Sequence, residues 1–136
     1  MSRRFLSIMI AAGSLAVSTA FAQQHRPYNE IMKDVGATFA SLKKNLDSNS
    51  AAAAAADAAK LEGLFTETEA FWAPLDTQDA VKFAKGARDA ASAVGTAAKS
   101  NDMKAAQASY SAIQKNCGNC HFAHREDTGK GYLIRP

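Results

Sequence analysis

The sequence predicts an all-α protein built as an antiparallel four-helix bundle. Between Tyr28 and His124, apolar residues return at intervals of three and four along four successive segments. Short clusters of turn and breaker residues separate these segments: Asp47-Ser48-Asn49, Pro74 with Asp76, and Ser100-Asn101-Asp102. No stretch shows the strict alternation of a half-buried strand. Short connections make consecutive helices antiparallel neighbours, and the 3.5-type spacing turns their stripes toward one core.

A leader precedes the bundle. Arg3 and Arg4 form a positive n-region, Phe5 to Val17 is mostly apolar, and Ala20-Phe21-Ala22 is an A-x-A cleavage signal. Residues 1–22 are therefore expected to be a secretory signal cleaved after Ala22, leaving one domain, residues 23–136. The apolar stretch falls short of the roughly 20 residues that span a bilayer. No Cys lies near the cleavage point, so neither a membrane anchor nor a lipid anchor is expected after cleavage. The signal points to the periplasm of a bacterial source. Removing Arg3 and Arg4 takes Lys+Arg from 16 to 14 against 13 acids, a net charge of +1. Nothing in that balance suggests a nucleic-acid partner.

The first helix is expected from Tyr28 to Leu46, with Pro27 suiting its first turn. Tyr28, Ile31, Met32, Val35, Phe39, Leu42 and Leu46 form its apolar stripe. Ser50 can cap the second helix, which opens with the alanines of 51–56 and runs to Trp72 before Pro74 breaks it. Alanine favours helix but buries little surface, so this helix should grip the core through Leu61, Leu64, Phe65, Phe71 and Trp72. The third helix follows Asp76 or Thr77 as N-cap, and Ala80, Ala84, Ala87, Ala91, Val94 and Ala98 give it a seam of small residues. The fourth carries Met103, Ala106, Tyr110, Ile113, Cys117, Cys120 and His124 on one stripe. Gly129 and Gly131 loosen the tail beyond it.

Cys117-Gly118-Asn119-Cys120-His121 reads C-x-x-C-H, the attachment pattern of a c-type haem. Two thiols about one helical turn apart can add to two vinyl groups on one porphyrin edge. The imidazole beside the second Cys then lies against the ring and ligates the iron. Three rivals share these residues. A thioredoxin-like pair would sit in a βαβ pattern. A zinc site could draw on Cys117, Cys120, His121 and His124, though within eight residues rather than two separated segments. A plain Cys117–Cys120 disulfide is the simplest. Haem is favoured, because export matches where bacteria attach it and because alanine-faced helices leave volume for a planar apolar group. The chain without haem is then expected to be partly unfolded, with both Cys used and no structural disulfide.

Together these features resemble a class II cytochrome c, the family of cytochrome c prime and the low-spin cytochrome c-556 proteins. The late C-x-x-C-H, the following Phe122-Ala123-His124-Arg125, and Ile31-Met32-Lys33 early in the first helix carry the resemblance, which covers Gln23 to Pro136. It implies one covalently bound haem c, with Cys117 and Cys120 as thioether positions and His121 as proximal ligand. It also implies that Arg125 stands near the haem edge and Met32 at the distal position. That position is an apolar non-ligand in cytochrome c prime and an iron-binding Met in the low-spin branch. The chain departs from the family at Tyr28, where many members carry Arg one turn before the distal residue, while Arg26 sits two residues earlier. His124 stands where an aromatic is often found, and the tail from Glu126 to Pro136 is longer than in many members.

The distal ligand decides the expected function. Met103 lies 14 positions before Cys117 on the same helix, roughly 21 Å away, so Met32 is the candidate, against the simpler reading of Met as core filler. His121/Met32 ligation would close both axial sites of the iron and favour the reduced state. The expected function is one-electron transport between periplasmic redox proteins, by a monomer or homodimer, with no enzymatic activity. An unbound Met32 would instead leave a five-coordinate site for NO or CO. A small zinc protein remains the reading if no haem is attached. Among the other candidates, His124 suits a haem-rim or surface role, His25 could compete as distal ligand, and Trp72 is core. Lys43 and Lys44 could belong to a docking surface.

Overall fold

The computed structural model describes residues 26–136; the expected leader, its cleavage point after Ala22, and His25 lie outside the described residues. The described chain folds as a four-helix bundle: α1 (Tyr28–Asp47), α2 (Ala51–Trp72), α3 (Gln78–Lys99) and α4 (Met103–His124). A single 3-10 turn, Ala73–Leu75, follows α2 and contains Pro74. No described helix is long and apolar enough to cross a membrane.

Local chemistry sets the helix ends. Each connection between helices passes through one left-handed residue, Asn49 (φ 53°), Asp76 (φ 53°) or Asn101 (φ 57°). Asn and Asp tolerate this conformation better than other residues with a side chain. Pro27 is the N-cap of α1 rather than its first helical residue, and its carbonyl accepts the N–H groups of Glu30 and Ile31. Asp102 caps α4 with its side chain, accepting the Ala105 N–H at 3.0 Å. Ser50 and Thr77 occupy the N-cap positions of α2 and α3 without capping by side chain. The Thr77 hydroxyl instead donates to the Leu75 carbonyl at 3.1 Å.

The expected stripes face inward. Ile31, Val35, Leu42 and Leu46 of α1 are buried, as are Leu61, Leu64, Phe65 and Trp72 of α2. Phe71 is only half-buried. All six small-seam positions of α3, Ala80 to Ala98, are buried. A Cβ added at Gly95 would stand 3.6 Å from the Ala58 Cβ, an ordinary contact that marks how close α2 and α3 lie. α3 packs extensively on α2 and α4, and α1 packs mainly on α2. α1 meets α4 sparsely. Phe39 and Tyr110 link these two, their rings stacked at 4.4 Å.

The tail differs from the loose end read in the sequence. It forms a hairpin of β1 (Arg125–Asp127) and β2 (Tyr132–Ile134), antiparallel, with Arg125 opposite Ile134 and Asp127 opposite Tyr132. All six strand residues are exposed. A strand with no buried face carries no alternating pattern to read. The turn holds the register: Gly129 (φ 72°) supplies a left-handed residue, and the Thr128 N–H and hydroxyl both donate to the Gly131 carbonyl.

Candidate cofactor cavity

A cavity of about 860 Å³ opens at one end of the bundle. Its walls come from the first half of α1, the second half of α2, the first half of α3, the second half of α4 and the hairpin. All five residues singled out in the sequence line it: Met32 from α1, Cys117, Cys120 and His121 from α4, and Arg125 at the start of β1. The remaining lining is largely apolar and aromatic, including Phe39, Phe65, Phe71, Trp72 and Phe83. The volume falls in the range of cofactor and ligand sites, about 300–1,000 Å³.

Position in the helices explains the convergence. Cys120 lies one turn before His124, and both are buried on the α4 stripe. Cys117, earlier on that stripe, and His121, beside it, are half-buried. Met32 sits beside the buried Ile31 and packs, partly buried, against the main core. Met103 also packs on that core but does not line the cavity.

Both thiols of the motif are held in the protonated form. Cys117 and Cys120 are free thiols, not a disulfide. Burial pushes the Cys117 thiol up to about 11. Burial does the same to Cys120, with smaller contributions from Cys117 and Asp79. Redox-active C-x-x-C pairs have the reverse property, a depressed thiol pKa. Burial, and then the nearby Arg125 charge, lower the His121 pKa, which favours the neutral imidazole with a nitrogen lone pair free to ligate.

Among the described residues no three His, Cys, Asp or Glu side chains gather to hold a metal ion. His124, the fourth candidate ligand, is engaged elsewhere: Nδ1 is 2.7 Å from the Arg135 carbonyl oxygen and Nε2 is 3.1 Å from Asp79 Oδ2. It is buried and touches the cavity wall, rather than lying solvated on the surface.

Other candidates are placed as follows. Arg26 pairs with Asp34 at 2.7 Å and approaches Glu67 at 3.6 Å. It does not line the cavity. Tyr28 does; its hydroxyl accepts the Trp72 indole N–H at 2.9 Å, and its ring stacks on Phe71 at 4.2 Å. Burial pushes the Tyr28 phenol up to about 12, so this wall stays uncharged. The Arg125 guanidinium lies 4.0 Å over the Tyr132 ring. Lys43 pairs with Asp47 along α1, and Trp72 is core. Sequence reasoning missed Thr68, Phe83, and the Tyr132, Leu133 and Ile134 of the hairpin, all of which line the cavity. The apolar Tyr-Leu-Ile run after two glycines was the available signal for the last three.

The residues present fit a haem on three counts. The cavity is large and apolar, two protonated thiols and a neutral imidazole line it from α4, and a thioether reaches it from another helix. Comparison with models of protein families, with curated proteins and with solved structures returns no match.

Proposed function

We propose that this protein is a c-type cytochrome of the class II kind, an antiparallel four-helix bundle that carries one electron at a time between periplasmic redox partners. One observation carries the reading: Met32 and the Cys117-Cys120-His121 group, 85 positions apart between Met32 and Cys117, line one apolar cavity. Haem c bound there would supply an iron that changes oxidation state by one electron. Cys117 and Cys120 would tether it, and His121 and Met32 would hold the metal from two helices. The walls offer it largely apolar and aromatic surface, and Arg125 offers a positive charge at the rim for a carboxylate. With both ligand positions filled by side chains, no site is left for chemistry, which is why we read a carrier rather than an enzyme.

The visible spectrum of the periplasmically matured protein tests this, oxidised, then reduced with dithionite, before and after CO. A sharp reduced α-band unmoved by CO is the expected result. A broad reduced spectrum that shifts at once with CO would replace the carrier by a five-coordinate binder of diatomic gases. A protein with no haem band would remove both.

A further inference from the structure

The hairpin covers part of the cavity while burying little of itself. Tyr132, Leu133 and Ile134 line the cavity, yet they are 61%, 59% and 39% exposed. A hairpin with three residue pairs is at best marginal on its own in water, so something else must hold it. The attachments converge on His124. Its carbonyl accepts the Arg135 N–H at 2.9 Å. Its Nδ1 stands 2.7 Å from the Arg135 carbonyl oxygen. Its ring packs 5.1 Å from the centre of Trp72. Its Nε2 is a buried nitrogen without an aligned hydrogen-bond partner, 3.1 Å from Asp79 Oδ2 at the start of α3.

Both polar neighbours of the ring, a carbonyl and a carboxylate, can only accept. A neutral imidazole has one N–H; it satisfies one of them and leaves a bare nitrogen facing the other. Only the doubly protonated ring donates to both. We propose that His124 is a positioning residue which, as an imidazolium bridging Asp79 and the Arg135 carbonyl, clasps the C-terminal strand over the cavity and releases it on losing its second proton. The inference does not depend on what fills the cavity.

The charges around the ring favour this. From α3 comes the Asp79 carboxylate. From α2 comes Trp72, which carries no charge. Within α4, Cys120 is a neutral thiol one turn earlier. In the tail, the Arg125 cation lies over Tyr132, and the Arg135 guanidinium reaches the Ala123 carbonyl and Glu126. Desolvation pushes the Asp79 carboxyl up, but the close approach and charge of His124, with the Ala80 N–H, outweigh this and hold it below its ordinary value. The clasp therefore persists toward acid until Asp79 itself takes a proton.

Amide hydrogen exchange on the full chain tests this, corrected for intrinsic rates and followed between about pH 5 and about pH 8, where histidines change charge. In the parent, protection of residues 133–135 should fall as pH rises, while that of the buried α3 seam stays constant. His124→Phe keeps a ring against Trp72 and deletes both polar contacts. It should lower tail protection roughly tenfold at the acid end, as loss of a charge-assisted hydrogen bond would, and abolish the pH dependence. Should His124→Phe fail to fold, Asp79→Asn, on a side chain 57% exposed, serves instead and should flatten the same profile. A parent tail whose protection is the same at every pH, or a variant that keeps the parent profile, overturns the proposal.

Discussion

At one end of the bundle the first turns of α2 and the last turns of α3 bury Ala54, Ala58, Val94 and Ala98, all 2% exposed or less, and a Cβ at Gly95 would stand 3.6 Å from that of Ala58. At the other end, the last turns of α2 and the first turns of α3 stand around a cavity of about 860 Å³ walled by Phe65, Phe71, Trp72 and Phe83. The same two helices thus interlock through small side chains at one end and support an open space with large ones at the other. Small residues let backbones approach and fill the space between them. Aromatic residues brace a cavity without filling it. The closed end holds the two helices together, and the aromatic end sets the width of the cavity.

The sharpest way to break the comparison is to remove what we read as the purpose of the open end. Replacing Cys117 and Cys120 together by Ala should abolish covalent haem in the matured protein, read by mass spectrometry of the denatured chain. Haem still covalently attached would falsify the assignment of those thiols. Met32→Ala should leave the haem attached but let CO alter the reduced spectrum; a spectrum still indifferent to CO would remove Met32 as a ligand.

Packing substitutions test the contrast itself. Ala58→Leu at the closed end forces extra methylenes between α2 and α3 and should cost about 1–3 kcal/mol in urea unfolding. Ala84→Leu, whose side chain borders the cavity, has space to enter and should cost less than about 1 kcal/mol in protein without cofactor. Equal costs at the two sites would mean that the ends do not differ in packing. A smaller effect follows from pH. The raised thiol pKa values mean that the folded chain without cofactor holds protons that the unfolded chain releases near 9.0. Stability should therefore be intact below about pH 9 and decline toward about pH 11, the values between which the two states differ. A flat unfolding midpoint across that window would show that the thiols are not desolvated. The smallest change is expected at exposed Gly63 of α2, where an added Cβ meets nothing within 4 Å. Gly63→Ala should stabilise by about 0.5–1 kcal/mol through helix propensity alone, and a loss of stability there would reveal a contact that neither end accounts for.

Much of this architecture was legible in the amino-acid order. The stripes of α1, α3 and α4 face the core as their three-and-four spacing predicts, and α2 ends at Trp72, just before the 3-10 turn that contains Pro74. Met32, Cys117, Cys120, His121 and Arg125 share one cavity. Periodicity reports which face of a helix turns inward, and that sufficed. It does not report what meets a side chain from elsewhere in the chain. Arg26, two residues before the position where the family often carries Arg, pairs with Asp34 and Glu67 and does not line the cavity. His124 read as a rim or surface residue, because neither Asp79 nor Arg135 is near it in sequence. The hairpin was illegible because its strands bury no face, and its register comes from one turn and from His124.

Trp72 is the chain's single tryptophan. It stands in the cavity wall, 1% exposed, with its indole N–H held by Tyr28. The molecule therefore carries an intrinsic fluorophore at the place where occupancy matters. Its emission should lie toward the blue, sheltered from water, and dim when an absorbing ring enters beside it. Cofactor loading could then be followed in real time, on the unlabelled chain, from one known position.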